Sequence, residues 1–164
     1  MQPRILVIGY GNPHRQDDRA GHELARAVAE WAAAESLDNV HVRTDYQLDL
    51  EMVDDIATAA FVLFFDAHAA EYSDTVAVTP VAPEPARGFT THALTAGNLL
   101  ALTSQLYGVD VPGCVISVPG YTFDMEYALS PETAAALDAA FVRARAMIMR
   151  ACQDPATAIA AQSE

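Results

Sequence analysis

One stretch constrains the fold more than any other. Ala60-Phe61-Val62-Leu63-Phe64-Phe65 is apolar throughout and is closed by Asp66. A run of this length without alternation suits a central parallel strand buried on both faces. A second short run, from Arg4 to Gly9, has the same character and ends in glycine. Cys114 to Val118 is a third. Strands covered on both faces need helices on both sides of the sheet.

Helical patterns lie between them. Residues 18–34 carry Leu24, Val28 and Trp31 at i, i+4 and i+7. Leu50 to Thr58 carries Met52, Val53 and Ile56, and Thr95 to Tyr107 carries Leu99, Leu102 and Leu106 on one expected face. Ser130-Pro131-Glu132 is a helix start, with a capping hydroxyl followed by proline at the first helical position. That helix continues through Leu137, Phe141, Ala144 and Ile148. Val40 to Thr44 reads as a half-buried strand and Thr75 to Val81 as an edge strand. Pro80 to Thr91, with three prolines and Gly88, reads as a loop. The expected architecture is α/β: a three-layer α/β/α sandwich with a mostly parallel twisted sheet of about five strands. A chain of 164 residues suits one such domain, expected over 1–152, with 153–164 as a disordered tail.

Charge narrows the function. Nine arginines and no lysine stand against 22 acids, a net charge of −13. A surface this acidic does not suit nucleic acid or an anionic membrane, and it invites a metal ion or a basic partner. The N-terminus shows neither a signal-peptide core nor a membrane span, so the expected compartment is the cytoplasm. Cys114 and Cys152 have no metal-ligand spacing and form no disulfide framework. Cys114 sits in an apolar run, which suits packing better than nucleophilic chemistry.

Ligands of such sheets sit outside the carboxyl ends of the strands. The first strand leads into Gly9-Tyr10-Gly11-Asn12-Pro13-His14-Arg15-Gln16-Asp17-Asp18. The Gly-x-Gly turn suggests a nucleotide fingerprint, but His14 stands in place of the third glycine. Two aspartates also precede the helix where a pyrophosphate needs positive potential. Asp17 reads as a helix cap or dipole-favoured acid. Asp66 stands at the active edge of the sheet as a functional acid or a loop cap. Asp45 ends the second strand as a supporting or capping acid. His68, two residues after Asp66, points the same way if the strand persists. His92 precedes a helix after the proline-rich loop, as a ligand or a structural residue. His22 and His41 read as structural. Asp18, Asp66 and His92 together form an N/O ligand set suited to a divalent transition metal such as nickel or zinc.

Four stretches in order resemble the hydrogenase maturation protease family. They are Ile5 to Asn12 with Asp17-Asp18 and Gly21; Phe65-Asp66-Ala67; Thr91-His92-Ala93-Leu94; and Val118 to Phe123 followed by Leu129-Ser130-Pro131-Glu132. The resemblance runs from about Arg4 to Ile148. It implies an endopeptidase that removes the C-terminal extension of a nickel-loaded [NiFe]-hydrogenase large-subunit precursor. It implies catalytic and metal-contacting roles for Asp18, Asp66 and His92. The nickel would arrive on the precursor, with no organic cofactor. The chain departs from the family pattern at Pro13-His14-Arg15, at Arg19 and at Asp124-Met125-Glu126-Tyr127. Two other readings are a noncatalytic metal- or precursor-binding chaperone on the same fold, and a small-molecule enzyme with a nucleotide on the Gly-x-Gly loop.

Overall fold

The computed structural model describes residues 1–87 and 94–160. The strands are β1 (Ile5–Tyr10), β2 (Val40–Asp45), β3 (Phe61–Ala69), β4 (Ala77–Pro80) and β5 (Gly113–Gly120). The helices are α1 (Ala20–Ala34), α2 (Met52–Ala57), α3 (Ala96–Tyr107) and α4 (Pro131–Gln153). The sheet order is β2-β1-β3-β5-β4, parallel except for the antiparallel edge strand β4. This is the expected three-layer α/β sandwich.

The apolar runs explain its layers. Alternate residues of one strand face opposite sides of the sheet. Ile5, Val7, Phe61, Leu63 and Phe65 bury against α1 and α4. Leu6, Ile8, Val62 and Phe64 bury against α2 and α3. Each strand thus supplies two apolar faces, which is why the central runs show no alternation. Capping fixes the helix starts. Thr95 and Asn98 form a reciprocal capping box on α3, and Ser130 caps α4 through the Thr133 N–H at 3.2 Å.

Several expectations are corrected. The central strand does not stop at Asp66. β3 runs on to Ala69, because β5 pairs with it from Val62↔Gly113 to Ala69↔Gly120. Asp66 therefore lies within a strand. On α3 the buried face is Ala96, Leu99, Leu100 and Thr103, whereas Leu106 is exposed. Beyond 152, α4 ends at Gln153. Residues 154–160 turn back onto the sandwich, and Ala158 is fully buried in the α1/α4 layer. Among the described residues no helix is long and apolar enough to cross a membrane.

Candidate functional site

Glycines bring the elements of the site together. Gly11 has φ +136°, a conformation that disfavours a side chain, and an added Cβ would lie 2.2 Å from the Asp18 carbonyl oxygen. Gly21, on the first turn of α1, faces Phe65 within β3 and Tyr10 at the end of β1. A Cβ there would lie 2.5 Å from the Phe65 oxygen and 2.7 Å from the Tyr10 oxygen. The small residue lets the helix start sit directly on the carboxyl end of β1 and on the neighbouring stretch of β3. His22 donates from Nε2 to the Gly11 carbonyl at 2.8 Å, so it fixes the turn rather than decorating the helix surface.

Asp18 lies in the single 3₁₀ turn Gln16–Arg19 that precedes α1. The Asn12 N–H donates to its Oδ2 at 2.8 Å, holding the carboxylate across the Gly-x-Gly turn. Asp66 continues the Val62, Phe64 face of β3, next to Tyr10 at the end of β1. The Ala67 N–H donates to its Oδ1 at 2.7 Å, and the Tyr10 hydroxyl also hydrogen-bonds the carboxylate. Burial pushes the Asp66 carboxyl above the usual carboxylate range. The Ala67 N–H, Tyr10 and the nearby His68 oppose this, while the negative Asp18 adds to it. The structure thus brings Asp18 and Asp66 close enough for one charge to act on the other. Tyr10 is held above its ordinary value by burial and then by Asp66, which keeps it a donor.

Two carboxylates, both partly buried and close enough to act on each other, make a local excess of acid. A cation placed between them would relieve it, and oxygen donors suit that role. His92, expected as the third member, lies outside the described residues. Leu94, two positions further on, packs against the apolar cluster on the Asp66 face of the sheet. Among the described residues no three His, Cys, Asp or Glu side chains group so as to hold a metal.

The strand persists through His68, but both ring nitrogens are engaged. Nε2 donates to the Ser73 carbonyl at 2.9 Å, and Nδ1 lies 2.7 Å from the Ser117 hydroxyl. Asp45 is paired with Arg43 at 2.7 Å, and Arg43 also holds Asp55 of α2 at 2.8 Å. His41 is exposed on β2. Burial pushes the Cys114 thiol up to about 11, in keeping with a packing role.

Asp17 is corrected. It does not cap its helix: the cap positions of the 3₁₀ turn and α1 are Arg15 and Arg19, without side-chain cap bonds. Asp17 is fully buried and accepts from the segment after β5. The N–H groups of Tyr121 and Thr122 reach Oδ2 at 2.8 and 2.9 Å, the Ser130 N–H reaches Oδ1 at 2.8 Å, and the Ser130 hydroxyl reaches Oδ2 at 2.7 Å. Burial alone would raise its pKa, but these donors outweigh it and hold the carboxyl below the ordinary value. Tyr10 and the Asp17 latch were not visible as functional residues in the sequence. Tyr10 occupied the variable position of Gly-x-Gly, and the partners of Asp17 lie more than a hundred positions away.

No protein-family model matches the sequence. No curated protein matches it either. Solved structures do share the fold. The hydrogenase maturating endopeptidase HybD from E. coli superposes with a TM-score of 0.73 at 18% identity, covering 90% of this chain and 93% of that one. The [NiFe] hydrogenase maturation protease HycI from Thermococcus kodakarensis gives a TM-score of 0.65 at 21% identity, covering 88% and 92%. A hydrogenase 2 maturation peptidase from a Thaumarchaeota archaeon gives 0.63 at 20% identity, covering 90% and 97%. The chain has the fold of these endopeptidases over nearly its whole length.

Proposed function

We propose that this protein is an endopeptidase that removes the C-terminal extension of a nickel-loaded [NiFe]-hydrogenase large-subunit precursor. The observation that carries the reading is the Asp18–Asp66 pair. It stands at the carboxyl edge of a sheet whose fold is that of hydrogenase maturation endopeptidases. An acidic pair short of countercharge suits recognition of a divalent cation on an incoming partner. Asp18, Asp66 and His92 would contact the nickel, which belongs to the substrate.

The chain's own groups prepare this contact. The Asn12 N–H fixes Asp18, and the Ala67 N–H and Tyr10 hydroxyl orient Asp66. Bound nickel would supply Lewis acidity at the scissile carbonyl or at a water. A carboxylate oxygen of the pair left free by the metal takes the proton of the attacking water. Water then adds to the carbonyl, the C–N bond breaks and the proton passes to the departing amine.

The test is the mass of nickel-loaded precursor after incubation with the protein. Loss of a C-terminal peptide, and no loss from nickel-free precursor, supports the reading. A stable complex without cleavage replaces it with the chaperone reading.

A further inference from the structure

The segment between β5 and α4, residues 121–130, has no regular secondary structure, yet it is anchored at many points. Asp17 takes the N–H groups of Tyr121, Thr122 and Ser130. The Gln16 N–H donates to the Glu126 carbonyl at 2.9 Å, and the Asp124 N–H returns to the Gln16 side chain at 3.0 Å. Arg15 donates to the Phe123 carbonyl at 3.0 Å and stacks over its ring, and Arg19 donates to the Tyr127 carbonyl at 3.3 Å. His14 meets the Tyr127 ring edge-on, with centroids 5.2 Å apart. The two segments where this chain departs from the family pattern are therefore packed on each other, beside Asp18.

The anchors consume the cations of this region and leave the apolar tips in solvent. Tyr121, Met125 and Tyr127 are 42%, 73% and 68% exposed. Asp124 and Glu126 lie between them and form no ion pair among the described residues. Tyrosine and methionine are enriched among interface anchors, and a backbone held in place beforehand loses little entropy when a partner docks. The flanking acids give the surface a sign.

Building on the proposed function, we infer that residues 121–127 are a docking surface for the precursor, and that the segment they bind is basic and apolar. Contacts made here are equal in the ground and transition states, so they govern KM rather than kcat. Asp124→Arg with Glu126→Arg should raise KM for nickel-loaded precursor about tenfold with kcat unchanged. Met125→Ser should act in the same direction. Asp138→Arg, on the exposed face of α4, should leave KM unchanged. Circular dichroism should show all variants folded, because each altered side chain points to solvent. If wild-type protein cleaves the precursor and the 124/126 double variant keeps the wild-type KM, the docking inference is overturned and the function stands. If wild-type protein neither binds nor cleaves nickel-loaded precursor, the function falls and the docking inference falls with it.

Discussion

Asp17 and Asp66 stand on the same edge of the sheet in opposite surroundings. Asp17 is sealed, with donors on both oxygens, and burial with that many partners is stable. Its carboxyl is held below the ordinary range. Asp66 is partly buried with fewer donors and a negative neighbour, and its carboxyl is held above that range. A carboxylate whose acceptor capacity is used up serves the fold. One left short of countercharge is free to serve a ligand. The two environments distinguish these acids more clearly than position in the sequence does.

The comparison can be broken by substitution. The largest effect belongs to Asp17→Ala. It leaves several buried N–H groups without a partner and should cost about 4 kcal/mol in urea unfolding. Gly21→Ala comes next, because its methyl meets the carbonyl oxygens of Phe65 and Tyr10. Overpacking there should cost about 2 kcal/mol and impair processing by lifting α1 from the strand ends. Tyr10→Phe removes one donor from Asp66 and should cost about 1 kcal/mol by the same measurement.

The smallest effect is the most telling, because its sign is reversed. Asp66 has a folded-state pKa above its unfolded value. Its contribution to stability is fully present below the unfolded pKa and is lost as pH rises through the folded one. Asp66→Asn should therefore be as stable as wild type or slightly more so at neutral pH, and lose that advantage in acid. Asp17 has a lowered folded-state pKa, so its stabilisation is present above the unfolded value and is lost as pH falls through the folded one. Unfolding curves from about pH 3 to about pH 7 should show the two aspartates bending stability in opposite directions. Parallel behaviour would erase the distinction.

The sandwich was legible because burial on both faces writes uninterrupted apolar runs, as in Phe61 to Phe65. The edge strand β4 was legible from its alternation. The end of β3 was not, because Asp66 and His68 look like loop residues until β5 pairs with them. The packing of residues 154–160 was missed for a related reason: Ala158 is small, and nothing in its neighbours marks it as buried. At the site, Asp18 and Asp66 stood out as acids at strand ends. The role of Asp17 did not, since identical side chains at adjacent positions differ only in distant partners. His92 was singled out by its place before α3 and lies outside the described residues.

The central claim is that the Asp18–Asp66 pair acts on the nickel-loaded precursor while the rest of the edge holds it in place. The most direct measurement is the rate of C-terminal peptide release from that precursor by Asp66→Asn protein, followed by mass. The expected result is a fall of at least about a hundredfold, with a urea midpoint no lower than wild type. Processing at the wild-type rate by a folded Asp66→Asn protein would contradict it.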